Sequence, residues 1–105
     1  MSRPHEAAML VLFGENLQRV RFLRKLSQQA VAERAGIHRT QISLLEKGDR
    51  APLLPTVVAL AGALNVPVGE LLVGISFEPD TMDFVVEPPA VPLLYAAPAG
   101  ATPSS

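Results

Sequence analysis

The feature that most restricts the fold is a pair of short helical patterns in residues 28–45, separated by Gly36. Ser27 precedes the first pattern and is a favourable N-cap, because its hydroxyl can accept a hydrogen bond from a free backbone N–H. Gly36 ends that helix, because glycine readily adopts the left-handed conformation found just after many helices. A second short helix is predicted over residues 38–47, and Ala32 is small where the two helices approach each other. The sequence therefore predicts two short helices joined by a tight corner.

Apolar residues at helical spacing predict three further helices around this pair. The first is amphipathic and covers residues 8–25, and a short fifth helix covers residues 68–73. A fourth helix begins near Pro55, since proline is tolerated in a first turn. Its expected inward positions are Leu54, Val57, Leu60, Ala61 and Leu64. The sequence thus predicts an all-α, five-helix domain over residues 8–74.

The chain changes character at residue 75, and six of its ten prolines lie between positions 79 and 103. Residues 75–105 are therefore predicted to form a Pro-rich, acidic and partly extended tail. Within it, residues 81–87 have enough β-branched and aromatic side chains for one strand. The last ten residues are expected to be disordered. The acidic side chains of the tail are interpreted as a solvated cluster, and they are Glu78, Asp80, Asp83 and Glu87.

Charge is distributed unevenly along the chain. Residues 1–50 carry nine basic and five acidic side chains, a net charge of +4. Residues 51–105 carry no basic and five acidic side chains, a net charge of −5. This asymmetry favours contact with nucleic acid by the first half and a different task for the second.

Several classes of site are not expected in this sequence. The chain has no Cys, which excludes disulfides, thiolate catalysis and thiolate metal ligands. His5 and His38 are too distant in sequence for a local metal-binding pair. There is no catalytic triad, Gly-rich phosphate loop or pair of carboxylates on one face, so we expect neither an enzyme nor a cofactor. Prolines interrupt the uncharged stretch 51–69, so a membrane span is disfavoured and a cytoplasmic location is expected.

Two short helices with a glycine at the corner form the pattern of a helix-turn-helix, whose second helix enters the major groove of DNA. Residues 13–72 resemble the helix-turn-helix domain of the lambda-repressor/Cro type, also called the xenobiotic-response-element family. The matching stretches are LSQQAVAERAGI (26–37), HRTQISLLEKG (38–48) and VVALAGALNVPVGELL (57–72). The resemblance implies a five-helix domain that binds operator DNA, commonly as a dimer.

The outward face of the helix over residues 38–47 carries the candidate base contacts, because Ile42 and Leu45 face inward. Arg39 is favoured as a base reader, since its guanidinium fork matches the two acceptors of guanine. The alternative for Arg39 is an ordinary solvated side chain. The full candidate set is His38, Arg39, Thr40, Ser43 and Leu44.

The other four members of this set have open alternatives. Thr40 and Ser43 either contact base edges or hydrogen-bond their own backbone. Leu44 either meets a thymine methyl group or is partly core. His38 opens the helix, where it caps the first turn, contacts a phosphate or points at a base.

Phosphate contacts are predicted beside this face. In the family, a Gln at the position of Gln28 clamps the DNA backbone, and a helix N-terminus attracts phosphate. Basic side chains nearby supply salt-dependent affinity without sequence information, the alternative being solubilising charge. The predicted phosphate contacts are Arg24, Lys25, Gln28, Lys47 and Arg50. The resemblance also implies a structural ion pair between Arg21 and Glu46, which would hold the recognition helix.

The expected partners are double-stranded DNA and a second copy of the chain. The outer face of the fourth helix is small or apolar where the family usually carries charge, at Val58, Ala59, Gly62 and Ala63. We therefore predict a homodimer through helices four and five, with the strand at 81–87 as a further candidate contact. The leading function is a DNA-binding transcriptional regulator acting as a repressor. The alternative is a protein-interaction module, such as an antitoxin whose tail binds a partner protein.

Overall fold

The computed structural model describes residues 3–89, which contain four α-helices, one 3₁₀-helix and a two-stranded antiparallel sheet. Their bounds are α1 Glu6–Leu23, α2 Gln28–Ala35, α3 Arg39–Glu46, α4 Leu54–Leu64, the 3₁₀-helix Val68–Leu71, β1 Ile75–Glu78 and β2 Asp83–Val86. The helical character of the domain is confirmed, but the predicted fifth helix over residues 68–73 is a 3₁₀-helix of only four residues. Pro67 is extended just before it, and Gly74, with a φ of 83°, turns the chain into β1 just after it, so little more than one tight turn fits between them.

The corner between α2 and α3 forms as the sequence predicts. The Ser27 Oγ accepts a hydrogen bond from the Ala30 N–H at 3.0 Å. Gly36 has a φ of 74°, and the Ile37 N–H then donates to the Ala32 carbonyl at 3.0 Å. An L side chain at position 36 would be strained in this left-handed conformation, so the glycine sets the direction in which α3 departs.

The hydrophobic core lies between the four helices. The inward side chains of α1, Phe13, Leu17 and Val20, are at most 3% exposed. Between them, Gly14 allows α1 to cross closely over the end of α3, since a Cβ at this position would overlap with the carbonyl oxygens of Leu45 and Glu46. The absence of a side chain at Gly14 therefore determines how near α3 lies to the core.

The structure corrects two expectations for α4. Leu54 is 72% exposed. It is the first residue of α4, and the residues of this helix that pack into the core begin only after it. Ala63, which was expected on the outer face, is only 7% exposed. Val58 and Gly62 do lie on the exposed face, as predicted.

Residues 75–86, the first part of the predicted Pro-rich, partly extended tail, form a β-hairpin that packs against α1. The predicted strand at 81–87 corresponds to β2, and β1, which the sequence analysis missed, pairs with it in the same chain. Phe77 and Phe84 face each other across the strands with ring centroids 5.5 Å apart. The Arg3 guanidinium lies over both rings and donates from Nε to the Met82 carbonyl at 2.9 Å. The hairpin is therefore joined to the residues that precede α1.

Asp83 is a buried residue of this hairpin, which corrects its interpretation as a solvated acid. The His5 Nδ1 lies 2.6 Å from one carboxylate oxygen, and the His5 backbone N–H donates to the other at 3.2 Å. Desolvation by burial raises the pKa of Asp83, but the hydrogen bonds from the His5 ring and from the backbone N–H groups of His5 and Phe84, aided by the attraction of His5, more than offset it. The net pKa lies below its ordinary value.

Residues 3–89 contain no helix that is long and apolar enough to cross a membrane. Within the same range, no three His, Asp or Glu side chains are grouped so that they could hold a metal ion. The disorder expected for the last ten residues, and the Pro-rich sequence from residue 90 onward, lie outside the described residues.

Candidate nucleic-acid interface

α3 presents a polar outer face to solvent. His38, Arg39 and Thr40 are exposed, and Ser43 and Leu44 are half-buried on the same side. The opposite side of the helix is anchored by its two core residues, Ile42 at 0% and Leu45 at 2% exposure. All five predicted base-contact residues are therefore accessible, at least in part, on one face of a helix whose other face is fixed.

A buried ion pair fixes the end of α3 against α1. The Arg21 Nε and the Glu46 Oε2 are 2.5 Å apart, and the Arg21 Nη2 donates to the Glu46 Oε1 at 2.9 Å. The two side chains are 8% and 4% exposed. The remaining Arg21 nitrogen, Nη1, donates to the Leu26 carbonyl at 3.0 Å, in the turn before α2. This two-point contact gives α3 a defined orientation, because a planar guanidinium binds a carboxylate in a fixed geometry.

Gln28 extends this pair to the outer face of α3. Its Nε2 donates to the Glu46 Oε1 at 3.0 Å, and its Oε1 accepts from the Arg39 Nη1 at 3.3 Å. The structure thus brings four of the predicted site residues into one network, although Gln28 and Arg39 were not expected to contact each other. The network connects α1, the first residue of α2 and the first and last residues of α3.

The first turn of α3 is capped by one of its own side chains. The His38 N–H donates to the Gln41 Oε1 at 3.2 Å, which satisfies one backbone group at the helix start. His38 itself has an extended backbone, with φ −80° and ψ 144°, so its side chain stands at the exposed end of the helix. This arrangement leaves the imidazole beside Arg39 rather than in the core.

The predicted phosphate contacts divide into two groups. Lys47 and Arg50 are exposed just after α3, and Lys25 is exposed in the turn before α2, where its φ is 58°. Arg24 lies elsewhere, because its Nη2 donates to the Asn65 carbonyl at the end of α4, at 3.3 Å. Within residues 3–89, no hydrogen bond or ion pair joins the Arg24 side chain to α3.

Three residues that position this interface were missed by the sequence analysis. Asn16 is fully buried, and its Nδ2 donates at 3.0 Å both to the Leu71 and to the Val73 carbonyl. Arg34 joins α2 to α4 through a 3.0 Å hydrogen bond to the Ala63 carbonyl. Gly14 permits the close crossing of α1 and α3 described above. An Asn and a Gly on the otherwise apolar face of a predicted helix were the available signals for two of them.

Two short helices at a glycine corner, the second with an exposed polar face, form the helix-turn-helix of DNA-binding proteins. The helix-turn-helix family model HTH_3 matches residues 17–71, which is just over half of the chain. The chain therefore belongs to the HTH_3 helix-turn-helix family, of the lambda-repressor/Cro type that the sequence motifs indicate.

Several proteins that resemble this chain in sequence or structure carry the names of regulatory proteins. The control protein C.SmaI of Serratia marcescens is 41% identical over 61 residues, covering 58% of this chain and 73% of that protein. The immunity repressor of Bacillus phage phi105 is 34% identical over 59 residues, but only 41% of its length is covered. Among solved structures, the restriction-modification controller protein C.AhdI of Aeromonas hydrophila has a TM-score of 0.60 and 36% identity. That match covers 61% of this chain and 97% of C.AhdI.

Proposed function

We propose that this chain is a cytoplasmic, sequence-specific DNA-binding transcriptional regulator that represses by occupying its promoter. The observation that carries this proposal is the exposed polar face of α3, held in one orientation by the buried Arg21–Glu46 pair. Helix-turn-helix proteins place such a second helix in the major groove. The control proteins and the phage repressor named above support a regulatory role, since they share the same domain.

Arg39 is the main base-reading residue of this proposal. Gln28 accepts a hydrogen bond from one Arg39 nitrogen, Nη1, so the guanidinium is oriented before DNA arrives while its other N–H groups stay available. A guanidinium held in this way can donate two hydrogen bonds to the O6 and N7 of guanine. The other base contacts are assigned to His38, Thr40, Ser43 and Leu44, which share the face.

Phosphates are bound on either side of α3. Lys47 and Arg50 neutralise phosphates beyond its end, Lys25 does so just before α2, and the uncharged Gln28 donates a hydrogen bond to a phosphate at the start of α2. Gln28 is the first residue of α2, so its backbone N–H lies at a helix N-terminus, which favours an anion. Arg24 is kept as a weaker candidate, because its guanidinium is turned toward Asn65.

The proposal includes a homodimer formed through α4 and the 3₁₀-helix. Val58, on the outer face of α4, is 51% exposed, and Leu53, just before the helix, is 74% exposed. Large apolar side chains left exposed in this way mark a candidate protein contact. A two-fold dimer would place its recognition helices about 34 Å apart, one turn of DNA. Sedimentation should show a dimer at micromolar concentration that Val58→Asp converts to monomer, and a wild-type monomer would rule it out.

The experiment that tests the function is selection of bound duplexes from a random DNA pool, followed by affinity measurements at several salt concentrations. Arg39→Ala should relax preference at one base position by about 1–3 kcal/mol. Arg50→Ala is the matched control, and it should weaken all duplexes alike and reduce the salt slope by about 1. An unchanged motif for Arg39→Ala would show that Arg39 reads no base. Failure to select any duplex would instead favour a protein-interaction module.

A further inference from the structure

An apolar groove runs between α1, the start of α4 and the start of β1, with a volume of about 330 Å³. Its walls include Leu10, Phe13, Leu54, Val57, Leu72 and Ile75. Of the described residues that line it, only Glu6, in the first turn of α1, is charged. A groove of this size and lining is suited to apolar side chains that bring a single hydrogen-bond donor.

The chain itself passes beside this groove as it leaves the hairpin. The Glu87 N–H donates to the Gly74 carbonyl at 2.8 Å, and Gly74 directly precedes the wall residue Ile75. Residues 91–95 follow Glu87 after only three intervening residues. At about 3.3–3.6 Å for each extended residue, this connection is long enough to reach the groove.

Residues 91–95, with the sequence VPLLY, match the groove in composition. They hold all the large apolar side chains that follow Pro89, the rest of the chain to residue 105 being Ala, Pro, Gly, Thr and Ser. No residue from 90 to 105 is charged, so none would be buried with an unpaired charge. The phenolic hydroxyl of Tyr95 is the one side-chain donor in the segment, and Glu6 is its natural acceptor.

We propose that residues 91–95 of the same chain dock in this groove, with Leu93 or Leu94 seated against Leu54 and Leu72. Attachment through a short linker makes the binding intramolecular, so even a weak contact is favoured by a high effective concentration. Docking would cover Leu54, which is otherwise 72% exposed at the start of α4. The proposal concerns a different surface from α3 and does not depend on the DNA contacts proposed above.

Paramagnetic relaxation provides the test, because the chain contains no Cys and Ala97→Cys introduces a unique site for a nitroxide label. Methyl signals of Leu10, Leu54 and Leu72 should lose intensity relative to those of Ile37, which packs between α2 and α3. The loss should persist when labelled protein is diluted. If it occurs only between chains, in a mixture of nitroxide-labelled and methyl-labelled protein, a second copy occupies the groove and the proposal is overturned.

A matched pair of double variants separates docking from mere proximity of the label to the hairpin. Leu93→Asp with Leu94→Asp should restore the groove methyl signals, because burying two carboxylates in an apolar groove costs a large desolvation free energy. Ala99→Asp with Ala101→Asp adds the same charge outside the segment and should leave the signals attenuated. Equal attenuation of the groove methyl signals in both double variants would refute docking. So would the absence of attenuation in the labelled Ala97→Cys protein that carries neither pair of changes. Neither pair touches the folded residues 3–89, so loss of folding does not confuse the result.

Discussion

Glu46→Gln probes the contact that gives α3 its orientation. The Glu46 carboxylate accepts hydrogen bonds from two Arg21 nitrogens and from the Gln28 Nε2, and its side chain is only 4% exposed. Gln has the same shape but one acceptor oxygen, so its amide group would face donors of Arg21 or Gln28. The charged guanidinium, 8% exposed, would then remain buried without its counter-ion. Breaking a buried pair in this way costs about 3–5 kcal/mol.

We therefore expect Glu46→Gln to lower the free energy of unfolding by about 3–5 kcal/mol, a large part of the 5–15 kcal/mol typical of a domain. Urea titration, monitored by circular dichroism because the domain is mostly helical, measures this free energy of unfolding. Glu33→Gln is the control, because Glu33 is exposed on α2 and, within residues 3–89, its side chain accepts a hydrogen bond only from Gln29. It should change stability by no more than about 0.5 kcal/mol.

Two results would refute this reasoning. One is a loss for Glu46→Gln as small as that for Glu33→Gln, which would mean that the pair is well solvated in solution. The other concerns the double variant Arg21→Met with Glu46→Leu, which removes both charges at once. Because a buried pair replaced by apolar groups is often neutral in stability, the double variant should be more stable than Glu46→Gln. If it is less stable, the hydrogen bonds to Leu26 and Gln28 dominate instead.

Three further predictions concern residues that position the fold. Gly14→Ala should destabilise the protein by about 1–3 kcal/mol in the same urea titration despite the higher helix propensity of Ala, because the new methyl group overlaps with the Leu45 carbonyl; a gain in stability would contradict the close crossing. Asn16→Leu should cost about 1–3 kcal/mol, since the Leu71 carbonyl would lose its donor, and an unchanged melting temperature would contradict this. Asp83→Asn should flatten the decline of stability in acid: the lowered pKa of Asp83 stabilises the fold above the unfolded value of about 3.9, and this contribution disappears as pH falls through the folded pKa. Urea midpoints from pH 7 to pH 2 check the sign, and a constant difference between wild type and Asp83→Asn would contradict it.

Local sequence was sufficient to predict the helix-turn-helix. The N-cap at Ser27 and the left-handed corner at Gly36 act within a few residues, and both formed as expected. The inward positions of α3, Ile42 and Leu45, followed from the helical period, because the spacing of apolar residues is a property of each helix alone. The failure at Leu54 has a related cause, since the period locates a face but does not indicate where along it the neighbouring helix ends.

The contacts that join distant parts of the chain are of another kind. The hydrogen bond from Asn16 to Leu71 joins residues 55 positions apart, and the His5–Asp83 pair joins residues 78 apart. The residue types showed that these groups are polar but not which partner each would meet. The link from Arg21 through Glu46 and Gln28 to Arg39 likewise exists only because α1, α2 and α3 converge at one point.

The sequence by itself determined which segments are helical, where the corner between α2 and α3 lies and which face of α3 is polar. Tertiary structure decided how closely α1 crosses α3, that residues 75–86 fold back as a hairpin on α1, and that Gln28 orients Arg39. The physical reason is range: capping, periodicity and glycine conformation act over one or two turns of chain, whereas polar pairing and close packing depend on where distant segments are brought together.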